Sequence, residues 1–259
     1  MPRLLHSLNK LIAGQGITKN KRVVNTTWGR RKPAFKLFEL LLVICVIGIL
    51  AALIFPSVRA VNRIKLTSRA RAELAQLESF IDIYKTKIGC YPPDNHNSRN
   101  NQLLAGLNQL YYELSGTSYE GNAFITKDLS SEPLTMPMVM TIFGPGVAGF
   151  VNCDHAGSDE GRSAIPFLNG LKPSQVATIS MTNAGTRMSA IGRVLVCSVP
   201  GPDPNEPALN NGSPPLNPWR YNSSSPTNNP NTYDLWVDIV ANGRVLGICN
   251  WSSQALIIR

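Results

Sequence analysis

The sequence predicts an α+β fold: a long N-terminal helix, membrane-spanning in its first half and amphipathic in its second, packed on a small antiparallel β-sheet domain. Three observations carry this. From Leu40 to Phe55 sixteen residues run without a polar side chain, and Leu37 and Phe38 extend the run to nineteen, interrupted only by Glu39. Beyond Pro56 the apolar positions Ala70, Leu74, Leu77, Ile81, Tyr84 and Ile88 step by 4, 3, 4, 3 and 4, the spacing of one helix face. Toward the C-terminus, short runs rich in β-branched and aromatic residues alternate with turn residues, as strands do.

The apolar run is the first element. At ~1.5 Å per residue nineteen residues rise ~28 Å, close to the thickness of a bilayer's hydrocarbon layer. A core helix of a soluble protein rarely runs this long without a polar face. A cleavable secretory signal would end in a small-x-small site with a polar exit, whereas Phe55, Pro56 and Ser57 lead into further helix-compatible sequence. The charge sets the orientation. The 259 residues carry a formal +9, but Arg3, Lys10, Lys19, Lys21, Arg22, Arg30, Arg31 and Lys32 all precede the first acidic residue, Glu39. From residue 35 onward 17 basic residues face 16 acidic ones, a net +1. The basic excess therefore belongs to a leader and not to a nucleic-acid-binding face. It places the N-terminus in the cytoplasm and the globular part outside it.

The same helix is expected to continue to about Lys87, with Arg71, Glu73, Glu78, Asp82 and Lys85 on its outer face. Gly89 stops it, Pro92-Pro93 follow, and Pro56 kinks it by removing an amide hydrogen bond and crowding the preceding turn. A coiled coil is the alternative reading of this spacing. Asn101 to Leu114 reads as a second, short amphipathic helix. Met138–Phe143, Val176–Met181, Ile191–Val199, Tyr233–Val240 and Val245–Ile248 are strand candidates, the last two joined by Asn242-Gly243, a strong hairpin-turn signal. Nine prolines between Pro200 and Pro230 mark an irregular surface loop, with Trp219 and Tyr221 expected to pin it to the sheet.

Catalytic and cofactor chemistry finds no constellation, and the expectation is a protein that is not an enzyme, with no cofactor and no metal. Gly144-Pro145-Gly146-Val147-Ala148-Gly149 fits G-x-G-x-x-G, but Asn152-Cys153-Asp154 arrives where the pyrophosphate-binding helix should begin. Cys153, Asp154, His155, Asp159 and Glu160 are the densest group of potential ligands, without zinc-site spacing, and a polar surface turn is the preferred reading. His6, His96 and His155 are isolated, which leaves no candidate base with a partner.

The stretch Ala34-Phe35-Lys36-Leu37-Phe38-Glu39-Leu40-Leu41-Leu42-Val43 resembles the prepilin cleavage and methylation motif of the type IV pilin and pseudopilin family. Counting from Phe35, Glu39 is fifth, Gly48 fourteenth and Pro56 twenty-second, where that family commonly has Glu, Gly and Pro. Ala34 stands where Gly is usual, and Lys36 where a small polar residue is common. Within the family, LAQLESFIDIYKTKIGCYPPDN looks like the helix end and first loop of the major pseudopilins of type II secretion, and NPWRYN with NTYDLWVDIVANGRVLG is similar to their closing strands. The matches cover roughly residues 30 to 112 and 214 to 259; residues 115 to 200 match no family we can name. In the calcium loop of such pseudopilins, Asn242 replaces an Asp and Arg244 lies close by, so no calcium ligand carries over.

The resemblance implies a basic leader over residues 1–34, removed between Ala34 and Phe35, with Phe35 then N-methylated. It implies a transmembrane helix over 35–56 and a periplasmic or extracellular α+β domain over 57–259, with a variable insert at 115–200 and the Pro-rich loop at 200–230. Glu39 would direct assembly by meeting the α-amino group of Phe35 in a neighbouring subunit. The implied partners are copies of itself, other pseudopilins, the prepilin peptidase and the inner-membrane secretion platform. The implied role is a structural subunit of a type II secretion pseudopilus in the inner membrane. A type IV pilus or DNA-uptake subunit shares the same motif. A membrane-anchored extracellular ligand-binding module, using the insert, is the reading from another class. Of the five cysteines, Cys45 lies in the apolar run, while Cys90, Cys153, Cys197 and Cys249 fall on the oxidising side. There an even number permits two disulfides, with buried free thiols as the alternative and three pairings open.

Overall fold

The computed structural model describes residues 37–95, 106–155, 163–182, 187–202 and 216–258, with the side chains of 53–59 and 155 outside the description. Helix α1 (Leu37–Ile88) opens the described chain. The chain divides between Leu50 and Ala51 into two compact units.

In the first unit, the described side chains from Leu40 to Leu50 are apolar on every side of the helix, and the large ones are 48–63% exposed. Leu37 and Phe38 are more exposed still. Among the described residues no helix is long and apolar enough to cross a membrane. The membrane-spanning half expected from the sequence is thus not found there. Its run reaches Phe55, but the side chains described without a break end at Ala52, and Leu37–Ala52 rises only ~24 Å against a hydrocarbon layer of ~30 Å.

In the second unit, α1 buries the face its spacing marks: Ala70, Leu74, Leu77, Ile81 and Tyr84 are 0–4% exposed. The helix runs through Pro56 without a break in its assignment. It ends at Gly89, whose φ of +96° no side-chain-bearing residue adopts cheaply and whose amide donates to Lys85 O at 2.8 Å.

The second unit also holds two four-stranded sheets and a two-stranded ribbon, and the buried face of α1 belongs to the same hydrophobic core as their inner residues. The C-terminal sheet is antiparallel in the order β10-β9-β8-β7, from β7 (Arg220–Asn222), β8 (Asp234–Ala241), β9 (Arg244–Cys249) and β10 (Leu256–Ile257). The β8–β9 hairpin turns on Asn242 and Gly243 with φ of 53° and 75°, the double positive φ that the Asn-Gly pair supplies. Trp219 and Tyr221 are buried beside it at 1% and 0% exposure. The tyrosine hydroxyl donates to Pro92 O at 2.9 Å, so this stretch pins the end of the Pro-rich segment to the residues following α1.

The second sheet has the order β3-β2-β1-β4, from β1 (Thr117–Glu120), β2 (Ala123–Thr126), β3 (Leu134–Thr135) and β4 (Cys153–His155), with β1 and β4 parallel. None of these strands was expected. The ribbon pairs β5 (Val176–Thr182) with β6 (Ser189–Leu195) in antiparallel register.

Two expected elements are corrected. Met138–Phe143 is not a strand: it belongs to helix α3 (Met136–Phe143), with Pro137 in its first turn. The buried residues there are Val139, Ile142 and Phe143, spaced 3 and 1, which is a helix stripe and not strand alternation. The helix expected over Asn101–Leu114 is interrupted: Gly106 is helical, 107–109 are not, and α2 spans Leu110–Ser115. Residues 101–105 lie outside the described residues. Asn108 accounts for the break. Its Oδ1 accepts from Leu110 N at 3.1 Å and its Nδ2 donates to Trp219 O at 2.8 Å, a local side-chain bond that competes with helix before it.

Candidate functional site

Glu39 sits in the first turn of α1 and is exposed. The expected cleavage and methylation residues, Ala34 and Phe35, lie outside the described residues. A carboxylate in the first turn of a helix is favourably placed against the helix dipole. Directly beyond it comes the all-round apolar surface Leu40–Leu50. A helix apolar on all sides is stable only where lipid or other protein covers it, so this segment is built to be surrounded.

The second unit holds its loops with carboxylates that the sequence placed on outer surfaces or did not single out. Glu73, expected on the outer face of α1, is 7% exposed. It accepts from Ser198 N at 3.0 Å and from the Ser198 hydroxyl, with Arg69 Nε 3.6 Å away. Asp94 accepts from Ser223 N and Ser224 N at 2.9 and 3.1 Å and from the Ser224 hydroxyl. Asp234 accepts four bonds of 2.8–3.0 Å from Thr227, Asn228 and Asn229.

Glu113 of α2 is fully buried. Its carboxylate takes the Tyr84 hydroxyl at 2.8 Å, Val151 N at 2.8 Å and Asn152 N at 3.0 Å. Burial pushes its pKa up to about 6, against the lowering effect of those three donors. A signal for it was present: in Leu110-Tyr111-Tyr112-Glu113-Leu114 the glutamate is enclosed by core residues on both sides.

Asp154 is ion-paired with Lys127 and accepts from Ala164 N, so it serves the fold around β4. Among the described residues no group of three His, Cys, Asp or Glu could hold a metal ion. On β8, Asp238 faces Arg220 at 3.2 Å, and desolvation raises its pKa despite that cation.

All five cysteines are free thiols in the structure, the alternative left open for Cys90, Cys153, Cys197 and Cys249. Cys153 lies on β4, Cys197 just after β6 and Cys249 on β9, in separate parts of the domain, while Cys90 is exposed after α1. Burial pushes the Cys197 thiol up to about 12 and raises Cys153 and Cys249 as well, which keeps them protonated and inert.

The glycine-rich stretch 144–149 does not open a helix. Gly144, at φ +103°, ends α3, and the following loop lines a cavity of about 520 Å³ together with Asp94, Gln109, Tyr119, Phe124 and Met136. Nothing in the sequence marked Gln109 or Tyr119 as members of a cavity.

A helix with an exposed apolar beginning, joined in sequence to an α+β domain with antiparallel sheets, is the makeup expected of a pseudopilin-like protein, and the comparison with known proteins supports that class. The chain is distantly homologous to type II secretion system core protein G of Aeromonas hydrophila, 28% identical over 130 residues that make up 50% of this chain and 85% of that protein. No family model matches the chain, and no solved structure matches it.

Proposed function

We propose that this protein is a pseudopilin, a structural subunit of a type II secretion pseudopilus that assembles through its N-terminal helix. The observation that carries the reading is the juxtaposition in α1 of Glu39 in the first turn with an all-round apolar surface from Leu40 to Leu50. The similarity to a type II secretion core protein over 85% of that protein's length supports it. In this reading the precursor sits in the inner membrane through the run Leu40–Phe55, with its N-terminus cytoplasmic and its domain periplasmic. A prepilin peptidase cuts between Ala34 and Phe35, and Phe35 is N-methylated. Removal of the leader creates the only free amine at Phe35. Glu39 then pairs with the Phe35 ammonium of a neighbouring copy in low dielectric, which fixes the register between helices. The partners are other copies, other pseudopilins and the inner-membrane secretion platform, and no nucleic acid is involved.

The deciding experiment is mass spectrometry of the N-terminus of protein from its native membrane, combined with fibre assembly by Glu39→Ala. A methylated Phe35 terminus and loss of fibres in the variant support the reading. An intact leader in assembled material, or wild-type fibres from Glu39→Ala, counts against it.

A further inference from the structure

Beyond the apolar run, α1 carries a block of one charge sign that the assembly reading leaves unused. Arg59, Arg63, Lys65, Arg69 and Arg71 follow Phe55 within sixteen residues, and the first acidic residue after Phe55 is Glu73. Cations this close to the far end of an apolar run work against the bias that keeps basic residues on the cytoplasmic side, so their presence calls for a use. Two of the five are engaged within the domain. Arg69 Nε lies 3.6 Å from Glu73, and Arg71 donates to Ser252 O at 3.2 Å. The side chain of Arg59 lies outside the described residues. Arg63 and Lys65 are exposed, and among the described residues neither side chain has an ionic or hydrogen-bonding partner.

The surface around these two cations is partly apolar. All six residues from Ala60 to Lys65 are exposed, Val61 and Ile64 at 63% each, and the helix meets the core only from Leu66 onward. At ~1.5 Å per residue Arg63 and Lys65 lie ~12 and ~15 Å along α1 beyond Phe55. A headgroup layer is about 5–8 Å deep on each side of the hydrocarbon. Helical side chains lean toward the N-terminus, here back toward the apolar run, and the aliphatic stems of arginine and lysine span the few ångströms that remain. A polyanion in solution would meet the cations and leave Val61 and Ile64 in water. The boundary between headgroups and acyl chains takes both kinds of side chain.

We propose that Arg63 and Lys65, together with Val61 and Ile64, form a binding surface for the phosphate groups of anionic phospholipids in the leaflet on the domain's side of the membrane. The guanidinium and ammonium groups pair with the lipid phosphates, and the two apolar side chains sit among the headgroups' glycerol and upper acyl segments. The contact holds the start of the domain's helix at the leaflet surface. It rests on the reading that the run Leu40–Phe55 lies in a bilayer.

The test is photo-crosslinking from the middle of the surface. The full chain carrying Ile64→p-benzoylphenylalanine is reconstituted into vesicles of equal parts phosphatidylcholine and phosphatidylglycerol, floated, irradiated, and its lipid adducts are counted by mass spectrometry. Phosphatidylglycerol adducts should outnumber phosphatidylcholine adducts by about fivefold or more, the weight of at least one cation at a charged surface. Arg63→Gln/Lys65→Gln on this background should bring the two to parity, with an unchanged melting temperature because both residues are exposed and glutamine is as good a helix former. Lys87→Gln/Arg244→Gln removes the same charge from exposed positions elsewhere on the domain and should keep the preference. Flotation with equal adducts in the parent chain overturns the proposal while leaving the membrane reading intact, and a chain that fails to float overturns both. A preference lost equally in the Lys87→Gln/Arg244→Gln variant, or adducts to a second copy of the chain in place of lipid, also overturns it.

Discussion

The Tyr84 hydroxyl on α1 donates to Glu113 Oε2 on α2 at 2.8 Å, and both residues have no solvent exposure. This bond fastens the long helix to the residue that also collects the amides of Val151 and Asn152. Tyr84 keeps its proton throughout, since burial first and the facing Glu113 charge second raise its pKa, so at every working pH it is the donor.

A pH signature follows from Glu113. Its folded pKa is raised, from 4.5 to about 6. The stabilisation linked to its proton is therefore fully present below about pH 4.5 and is lost as pH rises through about 6, amounting to about 2 kcal/mol. Denaturant melts of the wild type and Glu113→Gln should diverge by that amount between pH 4.5 and pH 7.5, with the wild type losing ground as pH rises. Parallel profiles would rule out Glu113 as a titrating group in this window.

Asp234→Ala should cost about 2–4 kcal/mol, because it strips one carboxylate from four donors while Asp234 itself is 3% exposed. The local readout is hydrogen exchange: the amides of Thr227, Asn228 and Asn229 should lose protection in the variant before the β8–β9 amides do. Unchanged exchange at those three amides would show that the loop is held by something else.

Gly192 on β6 leaves room for α3. A Cβ there would lie 2.6 Å from Ile142 Cδ1, and Ile142 is 1% exposed. Gly192→Ala should destabilise by about 1–3 kcal/mol through overpacking. Adding Ile142→Val, which removes the crowding methyl, should recover part of the loss, so the double variant should be more stable than the sum of the two single effects. Strict additivity in chemical denaturation would mean that the two residues do not meet.

The thiols should fall into two classes. Cys90 is exposed on the domain and Cys153, Cys197 and Cys249 are buried, so a water-soluble alkylating reagent should label Cys90 in the native protein and the other three only after unfolding, with no reductant needed in either step, while Cys45, inside the apolar run, stays shielded from it. Labelling of Cys153, Cys197 and Cys249 that required a reductant would restore the disulfide reading.

The sequence by itself determined the elements whose signal is periodic or local. The 4-3-4-3-4 spacing from Ala70 to Ile88 fixed which face of α1 is buried, Gly89 fixed its end, and Asn242-Gly243 fixed the β8–β9 turn, because side-chain burial on one face and positive φ depend on few residues. The apolar run and Glu39 were equally plain, since both lie within one continuous helix. What only the tertiary structure decided involves partners far apart in the chain. Glu73 looked solvent-facing by helical spacing, yet Ser198, 125 residues away, brings two donors that make its burial tolerable. Met138–Phe143 reads as β by composition, but the packing of Val139, Ile142 and Phe143 into the core selects a helix. The strands β1 to β4 are four residues or fewer, too short for a pattern to emerge before pairing supplies their hydrogen bonds. The cavity beside Gln109 joins residues from position 93 to position 151. That open hollow exists only once this stretch of chain has folded back on itself, and no local pattern encodes it.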